Sequence, residues 1–255
     1  MDKLFYLLLN IDNMKITLNK RLCIFLILVI LYYNLIKDLF GSTTLKYRVY
    51  DLNPHMKINK VKSDIWVIDN FYLRPDLVVK KSKKKPFIHR KALYSTKYYN
   101  PELLEFENLI SFFESIIGKQ ISYSQWNRDV YTNSNGFFQY IVKDSKVTIH
   151  CDGAQVDYGV VIFLDKNPIL GKGTSFYRHK KTGHEQEILP IEKYDTWKEE
   201  DIPKYDKWEK LLSVNNFYNR ALIFNSKRFH CSDGGYGTNK SNARFFQTFF
   251  FGLLK

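Results

Sequence analysis

A mainly β domain with flanking helices, an α+β sandwich or barrel, is the fold class that the sequence predicts. From Gly136 onward the apolar residues fall in short runs broken by Asn, Asp and Gly: Phe137 to Val142, Val147 to His150, Tyr158 to Leu164, Thr174 to Tyr177, Ala221 to Phe224 and Arg244 to Phe251. Runs of that length between turn residues are strands, and a regular succession of them makes a sandwich or barrel. Ahead of them a single stretch repeats apolar residues at helical spacing, which sets a helix against the sheet. With 45% hydrophobic and 16% aromatic residues in 255, the chain can offset the entropy of ordering a sizeable core, which excludes global disorder.

The first element is Leu22 to Ile36, LCIFLILVILYYNLI, uncharged and bracketed by Lys20-Arg21 and Lys37-Asp38. It reads as a transmembrane signal anchor behind an N-terminal tail of residues 1–21. It is shorter than the roughly 20 residues of a bilayer span, and its flanking Lys and Arg can snorkel. A cleaved signal peptide, favoured by a start at Met14 and giving a secreted product, and a buried core helix compete with that reading. Lys3, Lys15, Lys20 and Arg21 precede the segment and Lys37, Lys46 and Arg48 follow it. The balance favours a single-pass membrane protein with its C-terminal domain in a lumen.

Residues 37–63 read as a linker and residues 64–255 as the domain. Asp64 to Tyr72, rich in β-branched and aromatic residues, is its entering strand. Asn100-Pro101-Glu102 supplies a cap, a first-turn proline and an acidic first turn for a helix whose apolar face runs from Leu103 to Ile117 and which Gly118 ends. Residues 179–219, charged and carrying Trp197, Pro203 and Trp208, read as a partly helical insertion and as the element that sets specificity.

Lys+Arg 39 against Asp+Glu 26 gives a net charge of +13, enough to attract an anionic partner. Lys80, Lys81, Lys83, Lys84, Lys85, Arg90 and Lys91 cluster without a nucleic-acid motif around them, the pattern of a solvated helix end.

Chemistry concentrates in His150-Cys151-Asp152 and in the run from Asn225 to His230. A His and an Asp two apart on a strand project from one face, and a His from a neighbouring strand can complete three ligands on one side of a metal. Arg244 opens a strand, RFFQTFFF, aromatic on both faces and so covered on both; a buried guanidinium needs an anion, which an internal Asp or Glu could also supply. Cys151 and Cys231 each follow a candidate ligand, as a disulfide or as two buried thiols. A zinc site drawn from Cys151, Cys231, His179 or His184 lacks paired ligand spacing.

This ordered set, His150-X-Asp152, Gly171-Lys172-Gly173-Thr174-Ser175-Phe176, Ala221 to Asn225 ahead of His230, and then Arg244, resembles the 2-oxoglutarate and Fe(II)-dependent dioxygenases, with prolyl-4-hydroxylase-like enzymes the nearest group. The resemblance runs over residues 64–254 and implies a double-stranded β-helix, or jelly roll. It implies His150, Asp152 and His230 as Fe(II) ligands, 2-oxoglutarate as cosubstrate and O2 as oxidant. It implies Arg244 as anchor of the distal carboxylate, Lys240 as the alternative anchor and Tyr140 as a further donor to that carboxylate. The reaction implied is hydroxylation of a macromolecule, with a peptide favoured over a nucleic acid or glycan. A non-catalytic jelly roll that binds glycan or another ligand is the alternative.

Overall fold

In the computed structural model the described residues are 29–30, 32, 49–91, 96–99, 107–122, 135–152, 156–187 and 204–255. Their strands are β1 (Lys57–Lys62), β2 (Ile65–Asp69), β3 (Ile88–Lys91), β4 (Thr96–Tyr99), β5 (Phe137–Ile141), β6 (Tyr158–Phe163), β7 (Thr174–His179), β8 (Trp208–Val214), β9 (Arg220–Asn225), β10 (His230–Ser232) and β11 (Arg244–Phe251). Alongside them run the helices α1 (Pro75–Lys83) and α2 (Glu107–Ile117). The strands form an eight-stranded sheet, β1-β2-β9-β6-β11-β5-β4-β3, and a three-stranded one, β10-β7-β8.

The strand pairings are antiparallel, and side-chain alternation sorts each central strand into two faces. One face carries Ile68, Val160, Ile162, Ala221, Ile223, Phe245 and Phe249 against Val78 of α1 and Leu109, Ile110 and Phe113 of α2. Phe113 meets Phe249 at 5.7 Å and stacks on Phe251 at 5.6 Å between ring centroids. The other face packs Ile141, Phe163, Leu222, Phe224 and Phe246 against Phe176 and Val214 of the small sheet. The result is mainly β, helices on sheet on sheet, in a jelly-roll-like arrangement. Proline opens α1, whose last turn is basic, as the helix dipole favours. Gly118 closes α2 at φ 73, the left-handed conformation a helix terminus asks of glycine.

Several expectations need correction. The membrane anchor over residues 22–36, and with it the luminal single-pass placement, is overturned. No helix among the described residues is long and apolar enough to cross a membrane, and of that segment only residues 29, 30 and 32 are described. The chain divides into two compact units, Met1–Arg48 and Val49–Lys255. The expected linker therefore ends early: β1 lies inside it, hydrogen-bonded to β2. Within the expected insertion, residues 205–207 form a single 3-10 turn and residues 208–214 form β8; residues 188–203 lie outside the described residues, as does the start expected for α2. Val147 to His150 is not a strand, and His150 pairs only through an isolated bridge to His230.

Candidate metal centre

That bridge is a hydrogen-bonded antiparallel pair. His150 N–H donates to His230 O at 2.9 Å and His230 N–H to His150 O at 2.8 Å, so both imidazoles leave the same face, with ring centroids 4.5 Å apart. The two rings are held alike. Nδ1 of His150 lies 2.8 Å from Thr148 O and Nδ1 of His230 lies 2.8 Å from Arg228 O. A carbonyl can only accept, so each Nδ1 carries the proton and each Nε2 keeps its lone pair, the tautomer a metal-binding histidine requires. His230 is 6% exposed, and burial pushes its imidazole down to about 4, leaving it neutral at physiological pH.

Asp152 completes the group. Its backbone N–H donates to Ser226 O at 2.9 Å, which sets the carboxylate across both rings, with Oδ1 3.7 Å from His150 Nε2 and Oδ2 3.6 Å from His230 Nε2. Those separations exceed hydrogen-bond length. They fit donors sharing an ion instead, since ligands about 2.1 Å from one metal lie about 3–4 Å from each other. The three ligand atoms lie within 4.8 Å of one another, and this is the one such group of His, Cys, Asp and Glu among the described residues. Gly159 makes room for it: a Cβ there would sit 3.1 Å from Asp152 Oδ2 and 2.9 Å from the Phe224 ring. Two nitrogens and a carboxylate on one side of an ion suit a divalent transition metal and leave its remaining positions open.

Arg244 lines the same cleft as the triad, a space of about 610 Å³ counted out to its open mouth, together with Gln139, Thr174, Ser232, Phe246 and Thr248. It is 2% exposed. Nη1 donates to Ser232 Oγ at 2.5 Å and Nη2 to Gly173 O at 3.0 Å, while Nε is buried without a hydrogen-bond partner. Desolvation pushes the guanidinium down to about 10, so it stays charged at neutral pH. No ion pair of Arg244 occurs among the described residues. Asp233, whose charge it senses, is instead engaged by Ser175 Oγ at 2.5 Å and Lys210 Nζ at 3.3 Å. The internal salt bridge that could have explained this arginine is not formed there, and the residue lines the cleft with its Nε unpaired.

The other two proposed anchors are not at the site. Tyr140 faces the helices, its ring 5.3 Å from Phe87, because alternation on β5 turns Gln139 and Ile141 into the cleft instead. Lys240 reaches away, with Nζ 3.4 Å from Lys85 O and 5.2 Å from the centre of the Phe87 ring. Ser232 and Gln139 were not singled out from the sequence. Ser232 could have been, since it stands two residues after His230 and so shares its face. Cys151 and Cys231 are free thiols, and burial pushes Cys231 up to about 11. His179 and His184 join no metal-binding group among the described residues.

Behind His230 lies a charge network. Arg228, whose carbonyl holds the His230 ring, pairs with Asp64 at 2.8 Å and Glu185 at 3.0 Å. Glu185 also takes Arg178 at 2.9 Å and Lys62 at 3.2 Å, and these partners, Arg178 foremost, hold its carboxyl down at about 2. The Glu185 carbonyl accepts the Phe229 N–H at 3.0 Å. The segment leading to His230 is thus fixed through main chain and side chain together.

Fold and site define a jelly-roll-like protein with a candidate two-histidine, one-carboxylate metal centre. The chain belongs to the family described as "Family of unknown function (DUF6445)", whose model matches residues 53–239. Comparison with curated proteins finds no match. Among solved structures, HygX from Streptomyces hygroscopicus with nickel, 2-oxoglutarate and hygromycin B bound is similar at 10% identity and a TM-score of 0.45, over 74% of this chain and 83% of that one. The same protein with nickel and 2-oxoglutarate bound gives 11% identity and the same score and coverage. An oxidoreductase of the 2OG-Fe(II) oxygenase family from Burkholderia pseudomallei gives 14% identity and a TM-score of 0.33, over 78% and 72%. At such scores these likenesses carry no weight for the ligands of this chain, which rest on its own residues.

Proposed function

We propose that the chain is an Fe(II)- and 2-oxoglutarate-dependent oxygenase in which His150, Asp152 and His230 hold the metal and Arg244, with Ser232, holds the distal carboxylate of 2-oxoglutarate. One observation carries the reading: a buried arginine with no acidic partner among the described residues lines the same cleft as the three ligands. A buried cation of that kind calls for an anion, and the planar fork of a guanidinium suits a carboxylate. Spacing agrees. Ser232 Oγ accepts from Arg244 Nη1 and lies two residues beyond His230 on β10, so the hydroxyl beside the anchor and the ligand histidine stand about 7 Å apart along one strand face, a spacing that suits a five-carbon dicarboxylate.

The chemistry such a centre supplies when loaded is oxidation of a C–H bond by dioxygen, coupled to conversion of 2-oxoglutarate into succinate and carbon dioxide. The protein's own part is orientation. Thr148 O and Arg228 O fix the imidazole tautomers, Arg244 aligns the cosubstrate, and Ile141, Val161, Phe224 and Phe246 line the cleft with apolar surface that excludes water. The resemblance to prolyl-4-hydroxylase-like enzymes makes a peptide side chain the substrate of this proposal.

Incubating the full chain with Fe(II), 2-oxoglutarate and oxygen should yield succinate without added substrate, and His150→Ala or Asp152→Ala should abolish it. A wild-type chain that binds metal and 2-oxoglutarate yet releases no succinate, even with peptide supplied, would make the jelly roll a binding module.

A further inference from the structure

Resting on that reading of the cleft, we infer that Gln139 is a specificity-determining contact for the anionic ligand, presenting its carboxamide N–H from the wall between Arg244 and the metal ligands. Gln139 is 0% exposed and lines the cleft. On the sheet it pairs with Phe246, so it stands diagonally between Arg244 and Thr248, the residues on either side of Phe246 that share its face. Gln139, Arg244, His150, Asp152 and His230 line one cleft, so a ligand spanning it from the guanidinium to the metal-binding group shares that cleft with this side chain.

The amide is half satisfied. Its Nε2 is hydrogen-bonded to Thr248 Oγ1, while its Oε1 is buried with no partner among the described residues. Buried polar atoms nearly always find a partner, so one left over on a residue that lines a cleft is open to a ligand. Left bare beside a bound anion, a carbonyl oxygen would repel it. The two ends of a carboxamide occupy the same volume, and a threonine hydroxyl both donates and accepts. Turned over, Oε1 accepts from the Thr248 hydroxyl and Nε2 points two N–H donors into the cleft, where a carboxylate oxygen can take one. The same wall then supplies a charged donor at one end and a neutral donor part-way along, so it reads both the charge and the length of the bound acid.

Binding separates this role from a structural one. The full chain is loaded with Zn(II) in place of iron, and 2-oxoglutarate is titrated in by calorimetry. Gln139→Met keeps the volume and removes both polar atoms; its melting temperature without ligand should equal or exceed that of the wild type, while 2-oxoglutarate affinity falls at least about tenfold. Gln139→Glu can still accept from Thr248 but offers a charge where a donor is needed, so its affinity should fall further with Zn(II) affinity unchanged. Should Gln139→Met fail to fold, Gln139→Glu decides by the same criterion. Affinities within twofold of the wild type in either folded variant overturn the inference and leave the function standing. A wild-type chain that takes up Zn(II) but not 2-oxoglutarate overturns the function and this inference with it.

Discussion

Strand β11 shows two kinds of buried surface on one backbone. Towards the helices it presents Phe245, Gln247, Phe249 and Phe251; towards the cleft, Arg244, Phe246, Thr248 and Phe250. Both faces are buried and aromatic, but they treat polar groups differently. Gln247 has both ends of its amide bonded, accepting from Tyr72 O–H at 2.7 Å and donating to Gly136 O at 3.0 Å. Across the sheet, Arg244 Nε and Gln139 Oε1 are buried without partners. A face built for stability closes its hydrogen bonds within the protein, whereas a face built for a ligand leaves some open at a cost in stability.

Substitutions on the two faces should therefore separate stability from binding. Phe249→Ala removes a ring packed on Phe113 and should cost about 3–5 kcal/mol in denaturant unfolding, with metal affinity of the folded protein unchanged. Asp152→Ala should do the reverse, abolishing Ni(II) or Zn(II) binding in titration while leaving the apoprotein about as stable as the wild type. A matched loss of both properties in either variant would erase the distinction. Arg244→Met is the sharper case. Replacing a buried charge by an apolar side chain of similar length is often neutral or stabilising, so the apoprotein should melt no lower while 2-oxoglutarate affinity drops at least about a hundredfold.

How much of this could be read along the chain follows from contrast in the residue pattern. The grouping of His150, Asp152 and His230 was legible because few side chain types can hold a metal, although no described strand carries the His-X-Asp pair and backbone bonds to His230 and Ser226 place it instead. Arg244 was legible because a charge that opens an aromatic strand has to be explained. Tyr140 was taken for Gln139 because FFQYI is buried along its whole length, so nothing in the pattern says which parity meets the cleft. Lys240 was judged by its distance from His230 in sequence, which carries no direction in space. The strands β1, KINKVK, and β8, WEKLLSV, were missed because both are mostly exposed or half-exposed and carry charges; an edge strand shows little of the alternation that marks a half-buried one.

Smaller effects test the scaffold behind the site. Glu185 is held at about 2 against an ordinary value of 4.5. With the folded value depressed, its contribution is complete above about pH 4.5 and is lost as pH falls towards 2. Glu185→Gln should cost about 1–2 kcal/mol near neutrality, allowing for partial solvent screening, and the difference from the wild type should vanish in urea titrations at the acid end of that window. The least effect belongs to residues facing elsewhere: Tyr140→Phe and Lys240→Ala should each leave 2-oxoglutarate affinity within twofold, and a tenfold loss in either would return that residue to the site.

The central claim is that a metal held by His150, Asp152 and His230 and an anion held by Arg244 belong to one site. Titrating 2-oxoglutarate into the full chain with and without Zn(II) tests it most directly. Tight binding should require the metal and disappear in both Asp152→Ala and Arg244→Met. Binding of equal strength without metal, or undiminished in Arg244→Met, would contradict it.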